Sequence, residues 1–269
     1  MNTMKSLLIL SMLLFSFERS IAQTPKKAEI VSLNGTTIYY EVHGKGEPLL
    51  LLHGYTLSTK SWMDFVSDYA KDFEVYLVDL KGHGKSGIFK ETLSIKAAAM
   101  DVDVLMKHLN LTDIDVIGFS YGGDVAFQLA LLHPGLIKAM ISIGACGSWN
   151  AKEYPDWLES LSYKNISNLP WMRDQQMNEA QSKAILDQFP NYNVSVSAQE
   201  MKSIRAKTMF VLGDQDTSIP LECISSARAN LPESYLWILP NTGHGAQEGK
   251  NKAEFVHVSK EFFKSEWKK

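Results

Sequence analysis

A serine bracketed by glycines lies between a strand pattern and a helix pattern, and this junction constrains the fold of the 269-residue chain more than any other feature. Residues 113–117 form a short apolar-rich run, residues 118–123 read GFSYGG, and residues 124–133 have helical composition. Glycines on both sides permit a sharp turn that leaves the Ser120 hydroxyl exposed in strained geometry. A G-x-S-x-G pattern between a strand and a helix predicts a nucleophile elbow.

Strand patterns alternate with helix patterns along most of the chain, which indicates a mostly parallel sheet with helices on both faces. Residues 29–42 have the pattern of a hairpin that turns at Asn34-Gly35. The apolar run from Pro48 to Leu52 is typical of a strand buried on both faces. Further strands are predicted at 73–80, 113–117, 138–144, 208–212 and 234–239, and helices at 59–71, 94–109, 124–133, 220–230 and 252–267.

The alternation stops between residues 148 and 203, where aromatic residues and prolines are frequent. We predict an inserted helical cap over this stretch, within one α/β domain that covers residues 23–269. Trp149 and Trp171, together with Trp62, are candidates for lining a substrate pocket. The alternative is that these aromatic residues pack the insertion onto the rest of the chain.

The first 22 residues have the features of a secretory signal peptide. Lys5 gives a positive start, residues 6–17 form an apolar run, and small residues precede a predicted cleavage after Ala22. The run is shorter than the roughly 20 residues that span a bilayer. We therefore expect a secreted or periplasmic protein, in which Cys146 and Cys223 are either bridged or two unpaired buried thiols.

A serine nucleophile needs a base, and the base needs an acid to orient it. In a parallel sheet these groups gather at the carboxyl ends of strands, and after an elbow of this kind the acid precedes the histidine. His244, in a glycine-flanked loop after the predicted strand 234–239, is the candidate base. Asp214 and Asp216 follow the strand 208–212, and we favour Asp216 because Asp214 is placed to shape the turn.

Acyl transfer also requires two backbone donors for the negative oxygen that develops beside Ser120. The candidates are the N–H of Tyr121, directly after the serine, and the N–H of Tyr55, in the loop after the buried strand. His53 has no partner at metal-ligand spacing, and the glycine-rich turn at 79–86 lacks the spacing of a phosphate loop. We therefore expect neither a metal nor a cofactor.

Together these motifs resemble the α/β-hydrolase superfamily over nearly all of the chain after residue 22. They are His53-Gly54, the D-x-x-G-x-G-x-S turn at 79–86, the Ser120 elbow, the Asp216 loop and Gly243-His244. The resemblance implies a hydrolase of esters, thioesters, amides or carbon–carbon bonds with a Ser-Asp-His triad. Family members that open epoxides or remove halides typically carry Asp at the elbow, where this chain has Ser120.

The expected function is that of a secreted serine carboxylesterase, which hydrolyses small or medium acyl esters through an acyl-enzyme. Two alternatives remain: a carbon–carbon bond hydrolase with the same triad, and a receptor-like homologue with little turnover. The expected partner is a small-molecule acyl substrate. A net charge of −3 without a long basic run makes nucleic acid an unfavourable partner. No membrane partner is expected after signal cleavage.

Overall fold

The computed structural model describes residues 24–264 and residue 267. The predicted signal peptide, residues 1–22, therefore lies outside the described residues. Within the described residues, no helix combines the length and the apolar character needed to cross a bilayer.

Strands and helices alternate along the described residues, as the sequence patterns predict. The strands are β1 (Lys27–Leu33), β2 (Thr36–Gly44), β3 (Glu47–Leu52), β4 (Phe73–Asp79), β5 (Ile114–Phe119), β6 (Ile137–Ile143), β7 (Ser148–Asn150), β8 (Asn193–Ser195), β9 (Lys207–Gly213) and β10 (Ser234–Leu239). The helices are α1 (Met63–Tyr69), α2 (Ile95–His108), α3 (Tyr121–Leu132), α4 (Pro155–Ser160), α5 (Met172–Gln175), α6 (Glu179–Gln188), α7 (Ala198–Ser203), α8 (Leu221–Asn230) and α9 (Lys252–Phe263).

Two helix boundaries differ from the prediction by four residues, which is more than the others. The helix expected at 59–71 begins as a single 3-10 turn, Thr59–Trp62, before α1. The last helix ends at Phe263 rather than at residue 267, and the Trp267 ring packs against the rings of Tyr235 and Phe262.

Eight strands form one sheet in the order β1-β2-β4-β3-β5-β6-β9-β10. All neighbouring strands from β4 to β10 in this order are parallel, whereas β1 and β2 are antiparallel to their neighbours. Asn34 and Gly35, at φ 51° and 74°, form the turn of the predicted hairpin between β1 and β2. The mostly parallel architecture and the hairpin are thus confirmed.

The centre of the sheet is buried on both faces, and β3 shows how. Leu49 and Leu51 pack with α1 and α9, whereas Leu50 and Leu52 pack with α2 and α3. Successive side chains of a strand point to opposite faces, so a continuous apolar run supplies both cores at once. This prediction is confirmed, and it places the carboxyl ends of β3, β5, β6 and β9 along one edge of the sheet.

The segment between β6 and β9 that interrupts the alternation, residues 148–203, is here called the insertion. It contains α4 to α7 and also a two-stranded antiparallel ribbon, in which Ser148 of β7 pairs with Ser195 of β8. The ribbon brings the beginning of the insertion close to its end. Strands of three residues are too short for a visible alternation of apolar and polar residues, so the sequence predicted only the helices.

A disulfide joins Cys146, two residues before the insertion, to Cys223 in α8. The sequence left the pair open between a bridge and two thiols. The bond covalently connects the start of the insertion to α8, the helix that follows the Asp216 loop.

Candidate active site

Ser120 lies at the junction of β5 and α3 with backbone angles φ 50° and ψ −114°. Its N–H donates to the carbonyl of Ile143 at 2.7 Å, and its carbonyl accepts from the N–H groups of Gly123 and Asp124. A serine at positive φ is strained by about 1–3 kcal/mol, so it persists only where its surroundings impose it. The strand, the helix and β6 hold the predicted elbow in this conformation.

Gly122 allows the elbow to lie against β3. A Cβ atom at this position would be 2.3 Å from the carbonyl oxygen of Leu52. Only a residue without a side chain fits there, so the second glycine of the G-x-S-x-G pattern is required by close packing and not by a positive φ.

His244 and Asp216 form a hydrogen-bonded pair. The Nδ1 atom of His244 lies 2.8 Å from Oδ2 of Asp216, whose side chain is 1% exposed compared with 23% for the imidazole. Burial acts to raise the pKa of Asp216, but the hydrogen bond and charge of His244 and two backbone N–H groups outweigh it, and the pKa is lowered. Because an ionised carboxylate only accepts hydrogen bonds, Nδ1 carries the proton and Nε2 is left with a free lone pair.

The two candidate acids have separate positions. Oδ1 of Asp216 accepts from the N–H groups of Ser218 and Ile219 at 2.8 and 3.2 Å, while Oδ2 faces His244. Asp214 is exposed and accepts from the N–H of Thr242 at 3.0 Å. Asp214 therefore fastens the turn that leads to His244, and Asp216 contacts the imidazole itself.

Ser120 and His244 line the same cavity, which has a volume of about 540 Å³. Its walls are largely aromatic, with Phe119, Trp149, Trp157, Trp171, Phe189 and Tyr192 among them. The insertion contributes five of these six rings, so it closes the space above the carboxyl ends of the strands. The cavity is suited to an apolar group beside Ser120.

Two of the three predicted tryptophans reach this cavity. The Trp149 Nε1–H donates to the Ser218 carbonyl at 3.1 Å, and that of Trp171 donates to the Thr56 hydroxyl at 3.2 Å. The structure does not bring Trp62 there. Its side chain is 2% exposed and packs against Phe65 in the core beneath the other face of the sheet. The sequence alone does not tell on which face of the sheet a tryptophan lies.

The two predicted backbone donors lie on either side of the elbow. Tyr55 lines the cavity, and Tyr121 is the first residue of α3, whose N–H has no acceptor within the helix. Within residues 24–264, neither N–H donates to a protein acceptor. Both remain available to a negative oxygen, which the positive end of the α3 dipole also favours.

A family comparison agrees with this geometry. Residues 47–191 match the model of a family described by the alpha/beta hydrolase fold. The chain belongs to this family. Its solved relatives include a meta-cleavage product hydrolase from Pseudomonas fluorescens, with a TM-score of 0.75 over 89% of this chain and 98% of that chain. The sequence identity is 17%, so this likeness concerns the fold.

Two curated relatives of this α/β hydrolase are closer in sequence but over shorter stretches. A soluble epoxide hydrolase from Corynebacterium sp. is 35% identical over 154 residues, 50% of this chain and 54% of that protein. A pimeloyl-[acyl-carrier protein] methyl ester esterase from Citrobacter koseri is 32% identical over 120 residues, 43% of this chain and 44% of that protein. The match thus spans about half the length of these relatives.

In this α/β hydrolase His53 has a structural role. It is buried, its Nδ1–H donates to the carbonyl of Gly54 at 2.8 Å, and its Nε2 accepts from the N–H of Leu80 at 3.0 Å. Burial lowers the pKa of His53, which keeps the ring neutral. Both nitrogens are occupied, and the described residues contain no group of three or more His, Cys, Asp or Glu side chains arranged to hold a metal.

Gly144 is a site residue that the sequence analysis missed. It follows β6 at φ 57°, and a Cβ atom there would lie 2.8 Å from Cε1 and 2.9 Å from Nδ1 of His244. The imidazole therefore rests against the backbone of Gly144. The sequence signal for this residue was a glycine directly after β6, the strand that neighbours β5 and its elbow.

Asp124 is a second residue of the cavity that the sequence analysis did not single out. It lies in the first turn of α3, and its two oxygens accept from the N–H of Gly147 at 3.0 Å and the hydroxyl of Tyr192 at 2.8 Å. Burial raises the pKa of Asp124 to about 7. The available signal was a carboxylate one helical turn after Ser120.

Proposed function

We propose that the protein is a secreted serine hydrolase that acts as a carboxylesterase on small or medium acyl esters. The observation that carries the proposal is the 2.8 Å hydrogen bond between His244 and Asp216 beside a cavity that Ser120 also lines. A buried carboxylate that orients an imidazole in the same cavity as a strained serine is an arrangement suited to acyl transfer.

In the first half of the reaction, Ser120 Oγ attacks the ester carbonyl while Nε2 of His244 takes the hydroxyl proton. Asp216 stabilises the imidazolium that forms. The N–H groups of Tyr55 and Tyr121 hold the negative oxygen of the tetrahedral intermediate. The intermediate collapses when His244 gives the proton to the departing alcohol, and the acyl group stays on Ser120.

In the second half, water replaces the alcohol. His244 takes a proton from water as it attacks the acyl carbonyl, and the same two N–H groups hold the second tetrahedral intermediate. The proton then returns to Ser120 Oγ, and the carboxylic acid is released.

The chemistry of the elbow favours esters over epoxides. Attack of Ser120 on an epoxide carbon would leave an ether, which has no carbonyl for water to attack and would block the enzyme. Epoxide hydrolysis is a property of the Corynebacterium relative, whereas the Citrobacter relative is an ester hydrolase. A cavity of about 540 Å³ with largely aromatic walls supports a small or medium acyl group.

The disulfide between Cys146 and Cys223 supports the export that residues 1–22 predict. Disulfides persist in oxidising compartments and are rare in the cytosol. The N-terminal sequence of the protein isolated from the periplasm or medium tests this part of the proposal. Export predicts that it begins at Gln23, and an intact Met1 on cytosolic protein would contradict it.

A panel of p-nitrophenyl esters from acetate to octanoate tests the activity itself, with Ser120→Ala as the control. We expect release of p-nitrophenol that Ser120→Ala abolishes, and labelling of Ser120 by a fluorophosphonate detected by mass spectrometry. Turnover of vinylogous diketones without ester turnover would instead indicate a carbon–carbon hydrolase. Ligand binding that Ser120→Ala leaves unchanged, without turnover, would indicate a receptor.

A further inference from the structure

The mechanism does not use Asp124, although this carboxylate lines the cavity at its buried end. Asp124 is buried, with only 2% of the residue exposed. The cavity residues Phe189 and Tyr192 are also buried, whereas Trp171, at the open side, is exposed. An ionised carboxylate has about four lone-pair positions. Asp124 fills two of them, with Gly147 and Tyr192. It therefore keeps acceptor capacity for a ligand.

Among the described residues, no lysine or arginine reaches this carboxylate from the cavity lining. Neither Lys nor Arg occurs among the described residues that line it, while Asp124 and Glu248 both do. His244 is already paired with Asp216. Burial raises the pKa of Asp124 to about 7, although its two hydrogen bonds and the charge of His244 act to lower it. A cationic ligand would compensate the buried negative charge further.

The walls around Asp124 are aromatic, and this composition suits a substituted ammonium group. The Tyr192 ring, whose hydroxyl contacts Asp124, lies 5.0 Å from the ring of Trp149 and 6.2 Å from that of Phe189. Trp149 is itself held by stacking on Tyr154 at 5.1 Å. Aromatic faces attract quaternary ammonium groups electrostatically, and more strongly where water is excluded.

We propose that the buried end of the cavity is a subsite for a substituted ammonium group, bound by the Asp124 carboxylate and by the aromatic rings around Tyr192. The inference rests on the proposed ester hydrolysis and names its substrate class, which is esters that carry a cationic group. Asp124 follows Ser120 by one helical turn, about 6 Å along the axis. Because Ser120 and Asp124 line one cavity, we test spacers of two and three methylene groups between the cation and the ester group.

Two isosteric pairs of esters test the subsite. On the acyl side, p-nitrophenyl 4-(trimethylammonio)butanoate is compared with p-nitrophenyl 5,5-dimethylhexanoate; on the alcohol side, acetylcholine is compared with 3,3-dimethylbutyl acetate. We expect that Asp124→Asn lowers the ratio of kcat/KM for the cationic over the neutral ester by about tenfold or more in at least one pair. Asp156→Asn, an exposed acid of α4 outside the cavity, should leave both ratios unchanged.

Each other outcome overturns the subsite. Ratios that Asp124→Asn leaves unchanged show that the carboxylate does not recognise the cation. An equal loss of kcat/KM for both members of each pair shows that Asp124 acts on the catalytic groups or on folding. Circular dichroism distinguishes these two cases.

Binding to the Ser120→Ala protein separates this inference from the proposed function. Calorimetry compares choline with its neutral isostere, 3,3-dimethylbutan-1-ol. One outcome would support the subsite even if no ester is hydrolysed. Choline would then bind about tenfold more tightly than the neutral alcohol, and adding Asp124→Asn would remove this preference. If Asp124→Asn does not fold, choline binding no tighter than the neutral alcohol overturns the proposal.

Discussion

At the scale of single residues, the position of Asp216 leads to a direct comparison of two neighbouring carboxylates. Asp216→Asn should lower kcat by about 10⁴-fold, because an amide does not hold the Nδ1–H tautomer of His244 or stabilise the imidazolium. Asp214→Asn is the matched control, since an amide oxygen still accepts from the N–H of Thr242. Steady-state ester hydrolysis measures both, and a larger loss in Asp214→Asn would contradict the assignment.

Gly144 provides a second residue-scale prediction. Gly144→Ala should lower kcat/KM by about 10²-fold, because the new Cβ atom displaces the imidazole of His244. Gly249→Ala is the matched control: Gly249 has φ 59°, compared with 57° for Gly144, but an added Cβ there meets nothing within 4 Å. Both variants should lose about 1–2 kcal/mol of stability through the left-handed backbone. Equal activities of the two variants would be incompatible with contact between Gly144 and His244.

The buried Asp124 predicts a pH dependence of stability. Its pKa is about 7 in the folded protein against 3.8 as the ordinary value, so the folded state keeps a proton that the unfolded state releases between these values. The free energy of unfolding therefore falls as pH rises through this window, by on the order of 4 kcal/mol from this group. Asp124→Asn should remove that decline.

Urea unfolding at a series of pH values from about 4 to 8 measures this effect. The stability of Asp124→Asn relative to the native protein should increase with pH. Asp156→Asn, whose carboxylate is exposed, serves as the control and should follow the native profile. A relative stability of Asp124→Asn that decreases with pH would show that the native carboxylate is stabilised in its charged form.

At the scale of elements, the insertion is tied to the loop after β3 by Gln176, the residue that follows α5. Its buried amide donates to the carbonyls of Thr56 and Leu57 at 2.8 and 3.2 Å and accepts from the N–H of Gly84 at 2.8 Å. Thr56 is held at φ 67° next to Tyr55, the proposed oxyanion donor. The insertion and the proposed oxyanion loop are thus mechanically connected.

Gln176→Leu should destabilise this connection, since each buried group left without a partner costs about 1–3 kcal/mol. We expect faster hydrogen exchange in residues 53–60 and a kcat lowered about tenfold or more, because Tyr55 N–H loses its fixed position. Gln175→Leu is the comparison variant: it removes a single bond, to Ser58 of the same segment, at a partly exposed site, so the increase in exchange should be smaller. Unchanged exchange in Gln176→Leu would mean that other contacts hold the loop.

At the scale of the whole molecule, the disulfide closes a loop over a sequence separation of 77 residues. Loop-closure entropy predicts that the double variant Cys146→Ala, Cys223→Ala loses about 4 kcal/mol of stability. Reductant should destabilise the native protein by a similar amount and have no effect on the double variant. Urea unfolding with and without reductant measures both effects on the free energy of unfolding. Equal stability of the native and double-variant proteins would show that the bond does not contribute to stability.

The sequence by itself determined the features that depend on neighbouring residues. The Asn34-Gly35 turn, the two-face burial of β3 and the strand–elbow–helix unit at Ser120 follow from local backbone preference and from the periodicity of apolar side chains. The chain order, together with the glycine-flanked loop after a strand, was enough to select His244, but it left Asp214 and Asp216 as competitors.

Only the tertiary structure decided which residues meet across the sheet. It paired His244 with Asp216, placed Trp149 and Trp171 on the cavity and Trp62 in the opposite core, and brought Gly144 and Asp124 to the site. The physical reason is that a strand pattern states which residues are buried but not on which face or against which loop. Those contacts depend on strand order and on the path of the insertion, which bring together residues far apart in the chain.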